Sequence, residues 1–191
     1  MKLDTNTDRM SMFQKSGQTH TMMKQVGNYE LIKLSKTALL CSRHVPGSIV
    51  LKCYDWAIEQ REAGRCIISG FHSQIEKDVL HYLLKGKQPV IVALARGLKK
   101  RLEPEFAKPL STKRFLIVTP FNQSVRRASQ ETANKRNEFM IQLAAEIFVA
   151  YAQPSGNVER LVLKWLKKGR NVSTFGVEEN SKLMDAGAVA V

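Results

Sequence analysis

From residue 37 to the end of the chain, short apolar runs alternate with amphipathic segments. Runs such as TALLCS and QPVIVALA are apolar at nearly every position, which is typical of strands buried on both faces of a sheet. The segments between them carry apolar residues at helical spacing, as in Ile75, Val79 and Leu83. The predicted strands are 37–42, 65–69, 88–95, 114–121, 146–152 and 170–175; the predicted helices are 48–64, 72–87, 129–145 and 156–169, with a last short helix and strand within 179–191.

This order of elements predicts an α/β fold. Strands that alternate with helices form parallel units, and right-handed crossovers arrange them as an open, doubly wound, mostly parallel sheet with helices on both faces. Ligands of such sheets bind beyond the carboxyl ends of the strands, where the strand order reverses. A functional site is therefore expected in the turns that follow the strands.

The start of the chain has a different character. Residues 1–26 are polar and Met-rich without sustained periodicity, which predicts an N-terminal tail or leader before a domain at 27–191. The segment 27–34, GNYELIKL, predicts a short helix. Because the chain has neither an apolar run of transmembrane length nor a signal peptide, we expect a cytoplasmic protein with no membrane association.

The charge of the chain points to a polyanionic partner. Lys and Arg number 30 against 17 Asp and Glu, a net charge of +13, and such an excess favours nucleic acid through phosphate contacts. Three cysteines without CxxC spacing predict buried, reduced thiols, and four scattered histidines predict no metal site. No cofactor is predicted either.

Two of the turns after predicted strands carry candidate ligand-binding residues. CSRHVPGS places Ser42 and Arg43 at the end of the first strand, and a guanidinium there can grip a phosphate with two donors. SGFHS places Ser69 and Gly70 at the end of the second, where glycine lets the backbone approach a ligand closely.

The second of these turns also begins a helix. Ser73 is a suitable N-cap, and Glu76 three residues later completes a capping box. His72 is predicted to lie on the rim of the site and not to act as a catalytic base, because no carboxylate partner is evident beside it.

Two further turns complete the candidate edge. ANKRNEF carries Lys135, Arg136 and Asn137, and the region 126–136 holds four basic residues against one acid. QPSGNVER carries Ser155 and Gly156 at a helix start. The GxGxxG, GxxxxGK[ST] and GxSxG patterns are absent, which argues against classical dinucleotide binding, P-loop hydrolysis and α/β-hydrolase chemistry.

In order along the chain, these segments resemble the DNA-processing protein A family (DprA, also called Smf). GNYELIKLSKTALLCSRHVPG resembles the family's leader and a strand ending in G-[ST]-R, and IISGFHSQIEKDVLHYLL is similar to VVSGLARGIDAAAHRGAL. KRNEFMIQLAAEIFVAYAQPSGN is similar to RRNRIIAGLSDAVLVVEAPERSG, and ENSKLMDAGAVAV to the closing N-x-L-I-x-x-G-A.

The resemblance implies a Rossmann-like domain that binds single-stranded DNA in a basic pocket during DNA processing, recombination or uptake. It also implies a RecA-type recombinase as a partner, and members of this fold commonly form homodimers. The phosphate-binding residues it implies are Ser42, Arg43, Ser69, Gly70, Lys135, Arg136, Asn137, Ser155 and Gly156.

The chain departs from the family pattern at several of these turns. Cys41 stands where the family has glycine, FHSQIEK replaces LARGIDA, and Glu138 stands in place of the second arginine of RNR. We therefore expect a divergent member of the family, and, because the family's N-terminal helical module and C-terminal winged helix have no counterpart in the sequence, a short one that consists of the Rossmann-like core only.

Two alternatives remain open from the sequence. The same pocket could serve a nucleotide sensor or a protein similar to nucleoside-monophosphate phosphoribohydrolases (the lonely-guy family), or the chain could be an interaction module without a ligand. The PGGxGTxxE signature of those hydrolases is incomplete in PSGNVER, where Glu159 is predicted to be an exposed helix residue, so enzyme activity is not expected.

Bases of a DNA strand could stack on Phe71 or Phe121, unless these belong to the core.

Overall fold

Eight strands form a single sheet in the computed structural model, which describes residues 23–99 and 104–191. The strands are β1 Lys24–Gly27, β2 Lys36–Cys41, β3 Cys66–Ser69, β4 Val90–Ala93, β5 Phe115–Thr119, β6 Glu146–Tyr151, β7 Val172–Thr174 and β8 Val189–Ala190. The α-helices are α1 Gly47–Glu62, α2 Gln74–Leu84, α3 Ala107–Ser111, α4 Gln130–Leu143, α5 Asn157–Leu166 and α6 Ser181–Asp185; 3₁₀ turns cover Tyr29–Lys33, Pro104–Phe106 and Glu178–Asn180.

The strand order β1-β5-β4-β3-β2-β6-β7-β8 confirms the predicted doubly wound α/β class. Strands β2 to β8 run parallel, and only β1 pairs antiparallel, with β5. The chain moves outward from β2 to β5 and then returns through α4 to place β6 on the other side of β2. The order therefore reverses between β2 and β6, which is where an open α/β sheet binds its ligand.

The sheet is buried on both faces, as its apolar strands predict. Within β2, Leu39 lies in the apolar layer formed with α1 and α2, whereas Ala38 and Leu40 lie in the layer formed with α4 and α5. Trp56 of α1 stacks on Phe148 of β6 with ring centroids 4.3 Å apart. Because neighbouring strand residues contact opposite layers, most strand positions are apolar, and the alternation seen in half-exposed strands is lost.

Strand β1 is the main element that the sequence does not predict. Its residues 24–26 fall within the segment assigned to a tail, while residues 1–22 lie outside the described part of the chain. The strand KQVG has little apolar pattern of its own and exists because it pairs with β5. Gly27 ends it at φ +112°, and a Cβ there would lie 2.4 Å from the Phe115 carbonyl oxygen.

Several basic side chains have structural roles at the amino edge of the sheet, the edge where the parallel strands begin. Arg114 donates to the Leu84 carbonyl at the end of α2, and Arg170 donates to Ile141 and Ala144 at the end of α4. Cations near helix C-termini satisfy unpaired carbonyls and complement the helix dipole. Part of the positive charge therefore stabilises the fold itself.

The cysteine thiols are free, and burial makes them unreactive. Burial raises the pKa of Cys53 to about 12 and that of Cys66 to about 11. Burial also raises the pKa of Cys41 well above its ordinary value. All three thiols therefore stay protonated at neutral pH.

The described residues contain neither a cluster of metal ligands nor a helix that could span a membrane. Residues 23–99 and 104–191 contain no group of three His, Cys, Asp or Glu side chains that could hold a metal ion. In the same part of the chain, no helix has the length and apolar character needed to cross a membrane.

The side chain of Asn180, at the end of the 3₁₀ turn before α6, bonds the backbone at the end of β6. Asn180 is 1% exposed. Its Nδ2 donates to the Ala150 carbonyl at 3.0 Å, and its Oδ1 accepts from the Ala152 amide at 3.4 Å. The side chain thus satisfies two buried backbone groups beside the point where the strand order reverses.

Replacing Asn180 by alanine should lower the free energy of unfolding by about 2–3 kcal/mol, because both backbone groups lose their partner without access to water. Urea unfolding followed by circular dichroism measures this change. Asn134→Ala is the control, since Asn134 is exposed and bonds only Gln130 on the same helix. A loss below about 0.5 kcal/mol for Asn180→Ala, no greater than for an ordinary surface change, would contradict the assigned role.

Candidate nucleic-acid interface

The turns that follow β2 to β6 meet at one side of the sheet, here called the carboxyl edge. They contain the predicted site residues except Ser69, which ends β3, and those of α4, which starts near this edge and leads from β5 back to the start of β6. The structure therefore brings the four predicted segments to one edge. It also gives their side chains different roles.

Arg136 occupies the centre of the edge. Its guanidinium packs directly on the backbone of Gly70, because a Cβ built on that glycine would lie 1.1 Å from Nη1 and 2.1 Å from Cζ. Nη1 also donates to the carbonyl oxygen of Ala93, at the end of β4, at 3.3 Å. The expectation that a ligand approaches the backbone of Gly70 is therefore corrected: the guanidinium of Arg136 occupies that space.

Arg136 is buried, but few neighbouring groups compensate its positive charge. The side chain is 6% exposed, Nε has no hydrogen-bond partner in the structure, and no carboxylate of the described residues forms an ion pair with it. Burial lowers the pKa of the guanidinium, and the nearby negative charge of Glu76 opposes that shift. The guanidinium remains charged, so a desolvated cation lies at the carboxyl edge.

Glu76 forms the predicted capping box, which is confirmed. Its carboxylate accepts hydrogen bonds from the Ser73 amide at 2.9 Å and the His72 amide at 3.2 Å, and the Ser73 hydroxyl accepts from the Glu76 amide. The hydroxyl of Ser69 is fully buried, within hydrogen-bonding distance of Glu76 and of the Leu39 carbonyl. Ser69 thus connects β3 to β2 and to α2, whereas the His72 side chain is exposed on the rim.

Ser42 joins the two turns at the reversal of strand order. Its amide donates to the Tyr151 carbonyl at 2.9 Å, and its hydroxyl accepts from the Gln153 amide at 2.9 Å. The side chain is buried. Ser42 therefore fixes the turn after β6 against the turn after β2.

The turn after β6 contains an unusual backbone conformation. Ser155 has φ +59°, in the left-handed region, whereas Gly156 has φ −78° and is the N-cap of α5. A Cβ on Gly156 would lie 2.8 Å from the carbonyl oxygen of Gln153, so any other residue at this position would clash with that oxygen.

Glu159 holds this turn in place. Its Oε1 accepts from the Ser155 amide at 3.1 Å and forms an ion pair with Lys182 of α6 at 2.7 Å. The prediction that Glu159 is an exposed helix residue is wrong: it is 3% exposed. It is buried because both the turn and α6 close over the first turn of α5, and neither contact is visible in the local sequence.

Among the residues that the structure describes, three arginines of the carboxyl edge are exposed. Arg43 follows β2, and Arg126 and Arg127 lie in the turn between β5 and α4. Within the described part of the chain, none of the three makes a hydrogen bond or an ion pair. Their charges are therefore available to a ligand.

The turns on either side of β5 are packed against each other. Gly97, after β4, donates to the Val125 carbonyl at 2.9 Å, and a Cβ on Gly97 would lie 2.2 Å from the Asn122 carbonyl oxygen. The pair Arg126 and Arg127 is thereby held at the same edge as Arg136. The predicted site does not include this basic pair. Its position between a predicted strand, 114–121, and a predicted helix, 129–145, is the sequence feature that indicates the same edge.

The remaining predicted residues of α4 lie on its accessible side. Lys135 is 63% exposed and pairs with Glu131 one turn earlier at 2.7 Å. The side chain of Asn137 is half-buried and makes no hydrogen bond with any described residue. Glu138, which replaces a family arginine, pairs with Lys164 of α5 at 2.6 Å. Lys164 therefore partly neutralises the negative charge of Glu138, which weakens the repulsion between Glu138 and a bound anion.

The two candidate stacking residues have different environments. Phe71 is buried in the apolar layer under α1 and α2, with φ +45°, so it belongs to the core and is not free to stack on a base. Phe121 is half-buried in the turn after β5, where its amide donates to the Thr119 hydroxyl. Of the pair, Phe121 alone has the accessibility that stacking needs.

Comparisons with solved structures show which proteins share this fold. DNA processing protein A from Streptococcus pneumoniae matches with a TM-score of 0.74 at 18% identity, over 88% of this chain and 62% of that one. The Helicobacter pylori protein matches with a TM-score of 0.71 at 15% identity, over 88% and 80%. A molybdenum cofactor binding protein from Rippkaea orientalis matches with a TM-score of 0.56 at 12% identity, over 80% and 82%.

Comparison of sequences identifies the family. No curated protein sequence matches the chain significantly. The chain spans less than two thirds of the Streptococcus pneumoniae structure that it resembles. The family described as DNA recombination-mediator protein A matches residues 11–188, almost the whole chain. The protein therefore belongs to the DNA recombination-mediator protein A family, as the resemblance of its strand-end motifs predicts.

Proposed function

We propose that the protein binds single-stranded DNA along the carboxyl edge of its sheet, in DNA processing, recombination or uptake. The observation that carries the proposal is Arg136, a buried guanidinium with an unpartnered Nε and no ion pair among the described residues. A desolvated charge that is only partly compensated is costly to a fold, and an approaching phosphate offsets that cost. The fold-related protein from Helicobacter pylori binds single-stranded DNA, which supports the same ligand here.

The exposed arginines complete the electrostatic surface. Arg43 lies on one side of Arg136 in strand order, and Arg126 and Arg127 lie beyond the other. A DNA strand running across the ends of β2 to β5 would place successive phosphates near these cations. The net charge of +13 favours the approach of any polyanion over a longer range.

The predicted site residues divide into two roles in this proposal. Arg43, Lys135, Asn137, Ser155 and Gly156 have accessible atoms that can contact the strand. Ser42, Ser69 and Gly70 support the site from beneath, by fixing the turns and by making room for Arg136. Phe121 is the aromatic residue available for stacking on a base.

Binding of labelled oligo-dT measured by fluorescence anisotropy tests the proposal. We expect the logarithm of the association constant to fall linearly with the logarithm of the salt concentration, because bound phosphates release counterions. Arg43→Ala should weaken binding by roughly three- to tenfold at low salt and leave folding intact, since Arg43 makes no hydrogen bond or ion pair with the described residues.

Lys52→Ala is the matched control for this experiment. Lys52 is an exposed cation of α1, so its removal changes the net charge equally without altering the edge. Equal affinities for Arg43→Ala and the wild type would contradict the site. Tight binding of AMP with little salt dependence, and no binding of oligo-dT, would instead favour the nucleotide sensor or the phosphoribohydrolase-like protein.

We also propose a RecA-type recombinase as a partner, a homodimer in solution and a cytoplasmic location. The family's description as a recombination mediator supports the recombinase. Sedimentation velocity of the protein alone and mixed with a RecA-type recombinase checks both associations. A monomer in the first sample would exclude the homodimer, and separate sedimentation of the protein and the recombinase in the second would exclude their complex, at the concentrations used.

A further inference from the structure

A second basic region lies at the amino edge of the sheet, opposite the proposed DNA site. There the C-terminal end of α2 faces α3 and the residues that lead into β5, and an open cleft of about 280 Å³ separates them. Leu84 and Pro109 provide apolar walls, and Lys85, Lys108 and Arg114 provide the charges. The cleft is close to the lower size limit of small-molecule sites, roughly 300 Å³, so it suits a ligand no larger than one nucleotide.

The residues that line this cleft include three Lys or Arg side chains and no Asp or Glu. The segments HYLLKGK (81–87) and KPLSTKR (108–114), which supply its lining, contain five Lys or Arg residues and no acid. Neither segment contributes to the carboxyl edge. A group of cations thus lies at the amino edge in addition to those of the carboxyl edge.

One of the cations is held in position by the fold. Arg114 donates from Nη2 to the Leu84 carbonyl at 2.7 Å and from Nη1 to the Gln88 carbonyl at 3.2 Å. A guanidinium has five N–H donors, so three of them remain without a partner among the described residues. Lys85 extends over the ring of Tyr82, with Nζ 4.9 Å from the centroid, which limits the positions of its charge.

We propose that this cleft is a second phosphate site, which binds a nucleotide with its base against Leu84 and Pro109 and its phosphate on Lys85, Lys108 and Arg114. A fixed guanidinium and two ammonium groups suit a phosphate, while the apolar walls suit the face of a base. The phosphate belongs either to a free nucleotide or to a nucleotide within a second stretch of DNA. The site does not depend on the DNA site at the other edge, because the two share no residues.

A nuclear magnetic resonance titration with 5′-AMP and, separately, with a short oligo-dT strand tests this site. We expect amide signals of Leu84, Lys85 and Lys108 to shift on addition of AMP. In the variant Lys85→Glu/Lys108→Glu, affinity at these signals should fall at least about tenfold, because two charge-assisted contacts become repulsive. Both lysines are exposed, so the variant should fold. Lys52→Glu/Lys167→Glu reverses two other exposed charges and should leave these shifts unchanged.

The outcomes separate the two possible sources of the phosphate. Shifts with AMP alone identify a free nucleotide, and shifts with both probes identify a nucleotide of a strand. The proposal is overturned if neither probe shifts these signals, if the shifts persist in Lys85→Glu/Lys108→Glu, or if polyglutamate shifts them as strongly as AMP. Signals of Arg43 and Arg126 report the DNA site in the same spectra, so failure of one site is distinguished from failure of the other.

Discussion

Gly70→Ala is expected to abolish most single-stranded DNA binding while the protein remains folded. The new Cβ would lie 1.1 Å from Nη1 of Arg136, so the guanidinium must leave its position and its bond to the Ala93 carbonyl. Overpacking of this kind costs about 1–3 kcal/mol of folding stability. Displacement of the buried cation should weaken oligo-dT binding by about 10- to 100-fold, the value of one or two charge-assisted hydrogen bonds.

A double-mutant cycle with Arg136→Ala isolates this contact. In the Arg136→Ala background the added methyl has no guanidinium to displace, so Gly70→Ala should change the unfolding free energy and the DNA affinity very little. The expected coupling energy is about 1–2 kcal/mol. Gly47→Ala serves as the control, because a Cβ there meets no atom within 4 Å. Additive effects of the two substitutions would show that Arg136 does not occupy the space over Gly70.

Arg126→Ala/Arg127→Ala is expected to reduce both the affinity for oligo-dT and its dependence on salt. Both side chains are exposed and make no hydrogen bond or ion pair with the described residues, so their removal should take away phosphate contacts without unfolding the protein. Each lost contact on a single strand lowers the salt slope by about 0.7, so the pair should lower it by about 1.4. The affinity at low salt should fall roughly 10- to 100-fold.

The comparison variant is Lys52→Ala/Lys167→Ala, which removes the same charge from α1 and from the end of α5. It should retain nearly the wild-type slope, because these lysines lie away from the carboxyl-edge turns. If the two double variants lose affinity equally, binding depends on net charge alone. The turn between β5 and α4 would then have no specific role.

The sequence predicts correctly those features that depend on neighbouring residues. Continuous apolar runs predict strands covered on both faces, and β2 shows why, since Leu39 and Leu40 enter opposite layers. The capping box of Ser73 and Glu76 joins residues only three apart, so local spacing contains all the information it needs. The topology of the fold class then places the turns of Arg43, Gly70 and Ser155 at one edge.

The sequence is less informative where a residue acts through a distant segment. Strand β1 has almost no pattern because its existence depends on pairing with β5, some ninety residues later in the chain. Glu159 has the spacing of an exposed helix residue, yet the turn at Ser155 and the ion pair with Lys182 bury it.

By itself, the sequence determined the α/β class, the edge where the candidate site lies and the net positive charge of the chain. The tertiary structure alone decided which candidate residues are exposed at that edge and which are buried beneath them. Arg136 and Ala93 are 43 positions apart, and only packing shows that the guanidinium fills the space left by Gly70. The physical reason is that periodicity and capping are local, whereas burial, close approach and the pairing of charges depend on segments that meet only when the chain is folded.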